Sequence, residues 1–370
     1  MIGIIYRKII KPILFLFPAD KVHTHFLKGG RILGRFKVKK WFFNKILAYR
    51  DPILNQKIVE LSFDNPIGLA AGFDYDADLI DILPSIGFGF HTIGTVTNLP
   101  YEGNPSPMLG RLPKSKSLLV NKGFKSRGME AVLSKIGNSE KKIPLGISIG
   151  STNKNYGSIS EMIADVVSSF KKVLENNYFD YFELNISCPN LINIENLSDK
   201  FDTPLGLDML LNKLSGLAIN RPLFIKMYLE KSIKETLDLV EVASKHSYIN
   251  GLIFSNLVKD RSNSKFDKKE IENAGKGNFS GKPTEELTNN LISEVYKKYK
   301  DKFIIIGCGG VFNGADAYEK IKRGATLVQM ITGMIYQGPQ VIGEINKELA
   351  KLLEKDGYKN ISEAVGAYHR

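Results

Sequence analysis

Short apolar runs alternate along most of the chain with longer segments whose apolar positions recur every three or four residues. From residue 61 onward the apolar runs are Ile67–Ala71, Gly89–Thr95, Leu145–Ile149, Tyr181–Ile186, Leu223–Met227, Gly251–Phe254, Phe303–Ile306 and Leu327–Met330. They are apolar at successive positions rather than alternate ones, as strands covered on both faces must be. Between them, Ile159–Asn176, Ile233–His246, Glu285–Tyr299 and Ala315–Arg323 carry helical spacing. Strand–helix alternation of this kind predicts parallel βα units. Eight such units close into a (β/α)8 TIM barrel, with its chemistry at the C-terminal ends of the strands. Two stretches interrupt the alternation. Residues 98–143 separate the second and third runs, and residues 257–283, rich in Lys, Asn and Gly, are expected to form a mobile insertion near the site.

Ahead of the barrel the pattern changes. Met1–Pro18 is apolar but broken by Arg7, Lys8 and Lys11, and it is shorter than the ~20 residues that a spanning helix needs. No small-residue cleavage site follows, so a signal peptide is not expected. A second helical segment runs from Ala19 to Leu33 and is ended by glycines. Apolar faces flanked by Lys and Arg suit a helix pair lying in a membrane interface, or a helical cap packed on the main domain; both can hold at once. Residues 34–60 read as a linker, with Trp41, Phe42 and Phe43 packing against the body. The expected division is a helical extension over 1–45 and a barrel over 46–370.

Composition narrows the class. An apolar content of 43% with 24% charged residues suits an ordinary soluble globular protein. Two cysteines, Cys188 and Cys308, form no disulfide framework and point to a reducing compartment. The five His residues are scattered and none pairs with Cys at a zinc spacing, so no metal site is expected. A net charge of +12 fits an anionic membrane, nucleic acid, or an anionic cofactor and substrate.

The candidate chemistry collects at the ends of the predicted strands. Glu183-Leu184-Asn185-Ile186-Ser187-Cys188-Pro189-Asn190 changes from strand to turn at Pro189, which cannot continue a ladder. Two amides thereby flank a thiol; Asn donates and accepts at once, and a thiol exchanges a proton given a suitable environment. Lys226 ends an apolar strand, where an ammonium is costly without an anion beside it. Gly307-Cys308-Gly309-Gly310 and Ile331-Thr332-Gly333 close the last two strands, the usual place for a barrel phosphate site. A phosphate cradle, an internal cation and a thiol base together suit a flavin phosphate with a planar amide substrate stacked on the flavin.

The motifs NPIGLAAGFD at 65–74, GFGFHTIGTVT at 87–97, EGNPSPMLGRL at 102–112, ELNISCPN at 183–190, FSGKP at 279–283, IIGCGGV at 305–311 and GATLVQMITG at 324–333 resemble the FMN-dependent dihydroorotate dehydrogenases. The extension, with Ala19-Asp20-Lys21-Val22-His23, resembles that of the membrane-associated, quinone-using branch. The resemblance implies oxidation of dihydroorotate to orotate in pyrimidine biosynthesis. In that reaction hydride passes to FMN and a proton to Cys188, and the electrons go on to a quinone. It implies FMN contacts from Ala71, Gly72, Thr95, Ser148, Asn185, Lys226, Ser255, Ser280, Gly281, Gly309, Gly310, Ile331 and Thr332, with Lys226 also catalytic. Asn121, Gly123, Phe124, Asn185, Asn190 and Asn256 would hold the pyrimidine, and His23 and Arg111 would line a quinone tunnel. Peripheral attachment to the cytoplasmic side of the cell membrane through the N-terminal helices, and no nucleic-acid partner, follow from the same likeness. The chain departs from the family pattern at several places. Cys188 stands where the quinone-using branch has Ser, Tyr75 where a Lys is usual, Val120 and Ser148 where Asn is usual, and Leu191 where Thr is usual. Lys122 or Lys125 would then supply the positive charge for a substrate carboxylate. Two other readings compete: an FMN barrel acting on another reduced pyrimidine, as tRNA dihydrouridine synthases do, and an inactive barrel serving as a membrane-associated binding protein.

Overall fold

The computed structural model describes residues 2–137, 141–191 and 200–370. Eight strands close into a barrel: β1 (Ile67–Leu69), β2 (Phe90–Val96), β3 (Leu145–Ile149), β4 (Tyr181–Asn185), β5 (Leu223–Met227), β6 (Ile249–Phe254), β7 (Ile304–Cys308) and β8 (Leu327–Met330). Each pairs in parallel with its neighbours in chain order, and β8 closes on β1. The strands are buried along nearly their whole length, which explains why their sequences show no polar alternation. Ile147, Phe182, Ile225 and Leu252 pack with helix residues such as Val166, Phe170, Leu210 and Leu239 in one continuous core.

Four residues fill a polar layer inside the barrel. The Thr92 hydroxyl donates to Glu183 Oε1 at 2.7 Å, Gln329 Nε2 donates to the same oxygen at 2.6 Å, and Tyr181 Oη shares a hydrogen bond with Thr92 at 2.7 Å. A buried carboxylate is tolerable because donors meet it from two strands.

The N-terminal region is helical throughout. Short helical turns over Ile2–Phe15 lead into α1 (Ala19–Gly34) and α2 (Lys37–Leu47). The expectation of a linker over 34–60 is therefore corrected, because α2 occupies much of it. Its sequence carries no side-chain cap and no acid in its first turn, so it lacks the usual start signals. The expected packing of the aromatic triplet is also corrected. Phe43 packs on the core beside Leu83 and Ile342, whereas Trp41 and Phe42 are 59% and 53% exposed.

Polar contacts fasten this region to the barrel mouth. Asp20 Oδ2 accepts the amides of Met108 and Leu109 at 3.2 and 3.1 Å. Arg111 donates to the Phe17 carbonyl at 2.7 Å, and Tyr6 Oη donates to the Ile335 carbonyl at 2.8 Å.

The interruption over 98–143 supplies a hairpin, Leu109–Leu112 with Ser117–Val120. Residues 257–283 contribute a helix, Lys268–Glu272, and a strand, Asn278–Phe279, that pairs with the hairpin. Val258, Phe266 and Phe279 are the reason: these few apolar residues bury themselves against Leu112 and Leu119.

Candidate active site

A cavity of about 620 Å³ lies between the barrel mouth, the hairpin and the N-terminal helices. Strand order alone brings its wall together. Ala71 and Gly72 follow β1, Thr95 belongs to β2, Asn185 ends β4, and Cys188 and Asn190 follow it. Lys226 lies in β5, Ser255 and Asn256 follow β6, Gly309 and Gly310 follow β7, and Ile331 and Thr332 follow β8; all line the cavity. Gly123, Phe124, Ser280 and Gly281 close it from the hairpin side, and His23 and Arg111 face it from the extension side. Two expected residues stand outside this wall. Ser148 is fully buried behind Thr95, sharing a 3.0 Å hydrogen bond with its hydroxyl. Asn121 turns away and accepts from Asn104 Nδ2 at 2.9 Å.

Hydrogen bonds hold the amides in fixed orientations. Asn185 Nδ2 donates to Thr95 Oγ1 at 2.8 Å, and its Oδ1 accepts from the Ser187 amide at 3.2 Å. Asn256 Nδ2 donates to Ser187 Oγ at 2.8 Å. Asn190 Nδ2 donates to the Val120 carbonyl at 3.1 Å, while its Oδ1 accepts from Asn278 at 2.6 Å. The loop carrying Cys188 is thus bonded to the hairpin, to the insertion and to the loop after β6.

Charge is sparse and concentrated. Lys226 is 5% exposed, and among the described residues its ammonium has no ion-pair partner. Burial pushes the Cys188 thiol up to about 12, against the Asn190 backbone amide and the charges of Lys226 and Lys259, which draw it down. His23 donates from Nε2 to the Phe73 carbonyl at 2.8 Å; burial, then the charge of Lys122, lowers it to about 4, so the ring is neutral at physiological pH. At the β7 end, backbone does the work. Gly310 has φ +73°, Gly309 has φ +113°, and no protein acceptor meets either amide among the described residues. Two amides free of protein acceptors in the glycine turn after β7 can receive an anion.

The sequence model of the family described as dihydroorotate dehydrogenase matches residues 53–353. The chain belongs to the dihydroorotate dehydrogenase family. It is 33% identical over 351 residues to dihydroorotate dehydrogenase (quinone) of Christiangramia forsetii, covering 95% of this chain and 99% of that one. The protein of the same name from Trichodesmium erythraeum is 33% identical over 384 residues, covering 98% of each. Among solved structures, dihydroorotate dehydrogenase of Eimeria tenella in complex with ferulenol aligns with a TM-score of 0.80 at 26% identity, covering 95% of this chain and 96% of that one. The chain is thus an oxidoreductase of a generally flavin-dependent family, and its barrel is the one the strand pattern predicts.

Within this dihydroorotate dehydrogenase cavity, one pair was only half visible in the sequence. The Lys122 ammonium sits 4.5 Å from the centre of the Tyr75 ring, and both line the cavity. Burial, with Asp20, Asp76 and Cys188 nearby, raises the Tyr75 phenol well above its ordinary value, so it stays protonated. Lys125, the other candidate cation, also borders the cavity, but its ammonium donates to the Glu102 carbonyl at 2.7 Å and pairs with that carboxylate at 3.7 Å. A Lys in a loop gives no sign of its burial. The signal available was Tyr75 itself, an aromatic ring directly after a strand-end Asp.

Proposed function

We propose that this chain oxidises (S)-dihydroorotate to orotate on FMN held at the barrel mouth, with electrons passing to a quinone that enters between the N-terminal helices. One observation carries the reading: the Cys188 loop, the Lys226 ammonium and the Gly309–Gly310 amides all face one apolar cavity that continues to α1 and α2.

The residues present fit FMN. The free amides of Gly309 and Gly310 would take its phosphate, and Thr332, whose hydroxyl bonds Ser280 Oγ at 2.8 Å, would border it. Lys226, buried with no carboxylate paired to it among the described residues, would face the electron-rich edge of the ring. FMN, when bound, supplies a hydride acceptor. Cys188 Sγ would take the proton from the substrate carbon next to the one that gives up hydride, and Asn185, Asn190 and Asn256 would orient the pyrimidine. The Asn190 amide and Lys226 stabilise the thiolate form needed for that proton transfer. His23 and Arg111 lie on the side toward the extension, where Arg111 also stacks 4.6 Å from the Phe15 ring. Residues 1–45 would form the quinone-side unit and 46–370 the catalytic barrel.

Membrane attachment would be peripheral and cytoplasmic. No helix among the described residues is long and apolar enough to cross a bilayer. Ile9, Ile13, Leu16, Phe17, Trp41 and Phe42 are exposed on the extension among lysines, as an interfacial helix group requires. The test is anaerobic addition of dihydroorotate to the purified flavoprotein. Bleaching of the flavin band, then recovery on adding a quinone, is the expected result; a flavin band unaltered by dihydroorotate refutes the reading.

A further inference from the structure

Lys122 is 7% exposed, and what exposure it keeps opens on the cavity. Among the described residues its ammonium forms no ion pair and no hydrogen bond; its one close partner is the face of the Tyr75 ring, at 4.5 Å. A buried ammonium held only by a ring is incompletely satisfied, since cation–π attraction replaces part of its lost hydration and none of its hydrogen bonds. The other cations of the wall are already occupied or placed elsewhere. Lys125 holds Glu102, Arg111 holds the Phe17 carbonyl, and Lys226 acts on both thiols, Cys188 and Cys308, and is the cation assigned above to the flavin. Lys122, by contrast, lies on the substrate side. The preceding residue but one, Val120, accepts from Asn190, the next but one after Cys188, and Tyr75 itself feels the Cys188 charge.

We propose that Lys122 is a specificity-determining residue of this site, receiving the carboxylate of the bound pyrimidine while the Tyr75 ring holds its ammonium in place. The assignment rests on the dihydroorotate reading and sharpens it: the site selects a pyrimidine bearing an anionic substituent over its uncharged counterpart. Burial lowers Lys122 to about 8, and Asp20 opposes that shift; an anion arriving at the ammonium would restore the missing partner. Asp20 itself is committed to the Met108 and Leu109 amides and so does not neutralise the lysine.

The test compares binding of orotate and of uracil to the flavin-loaded protein, by calorimetry and by the shift of the flavin band. In Lys122→Met, orotate affinity is expected to fall about 10- to 100-fold, the range for losing a charge-assisted hydrogen bond, with uracil affinity and flavin content unchanged. Lys122→Arg should recover most of the loss, because a guanidinium also stacks on a ring. Equal orotate affinity in wild type and Lys122→Met, with flavin retained, overturns this assignment and leaves the dihydroorotate reading standing. A wild-type protein that binds flavin but neither reacts with dihydroorotate nor binds orotate overturns both. Should Lys122→Met lose flavin, Lys122→Gln is decisive: flavin lost there too places the lysine in cofactor binding and refutes the carboxylate role.

Discussion

The two halves of the cavity are built from different materials. The half at the ends of β7 and β8 is backbone: glycine turns at Gly309 and Gly310, with Ser280 and Thr332 hydroxyls beside them. The half around Cys188 is side chain: a thiol, three amides, and Lys122 on Tyr75. A backbone cradle changes only if the turn changes, whereas a side-chain wall can be altered one residue at a time. That difference accounts for where this chain departs from its family. Of the departures that line the cavity, Tyr75, Val120 and Cys188 fall on the side-chain half, and Ile331, where the resemblance leads one to expect Tyr, is a side-chain change beside glycine turns that keep their motif.

The largest expected break in this contrast is Cys188→Ala. Loss of a positioned base should slow flavin reduction by dihydroorotate by roughly 10²–10⁴-fold, while flavin content stays that of wild type. Stopped-flow bleaching measures the rate, and a rate equal to wild type would remove Cys188 from the chemistry. Gly310→Val tests the other half. Its φ of +73° is costly for a branched residue, and an added Cβ would fall 2.8 Å from Glu285 Cα. Strain of about 2–3 kcal/mol should weaken flavin retention roughly hundredfold, read as the ratio of flavin to protein absorbance. A Gly310→Val protein that holds flavin normally would show that the cradle lies elsewhere.

The pH profile sharpens the comparison further. Because burial holds the Cys188 thiol at about 12, the thiolate is a minor species at neutral pH. Its share grows about tenfold per pH unit below that value. At subsaturating dihydroorotate, flavin reduction should therefore accelerate with rising pH from 6 to about 8 and level off above it, where the lysine at about 8 loses its proton and substrate binding weakens. Asp20, His23 and Tyr75 face Lys122, and of these His23 is already neutral and Tyr75 stays protonated, so neither adds a step in that window. A rate independent of pH from 6 to 9 would contradict the thiol as base.

The barrel was legible because its strands are apolar at consecutive positions and its helices apolar at helical spacing; Leu145–Ile149, Leu223–Met227 and Leu327–Met330 fall where the runs predict. The α2 helix was not, since it starts without a cap and exposes two of its three consecutive aromatics, so its apolar residues do not mark a buried stripe. At the site, the residues at strand ends were readable from position alone. Ser148 was expected beside them, but its hydroxyl meets that of Thr95 and it does not line the cavity, which a strand-end position does not reveal. The Lys122–Tyr75 contact was out of reach for another reason. It joins the loop after β1 to the loop that follows the hairpin, and although each residue was noticed singly, nothing in either segment pairs them.

The smallest effect concerns the exposed aromatics of α2, which lie apart from both halves of the cavity. Trp41 and Phe42 point outward beside Lys39 and Lys45, whose ammoniums stand over the Phe36 and Trp41 rings at 4.3 and 4.6 Å. An amphipathic ring with a basic neighbour suits the headgroup layer, where its apolar body leaves water and the cation meets lipid phosphate. Replacing both rings in Trp41→Ser/Phe42→Ser removes apolar area that would be only partly buried there, about 1.5 kcal/mol in all. That corresponds to roughly tenfold weaker binding to vesicles containing anionic phospholipid, measured by co-sedimentation at low salt. Bleaching by dihydroorotate should be unaffected in the same protein, because neither ring lines the cavity. If vesicle binding survives the double substitution, the membrane contact belongs to Ile2–Phe15, where Ile4, Ile9 and Ile13 are also exposed, rather than to α2.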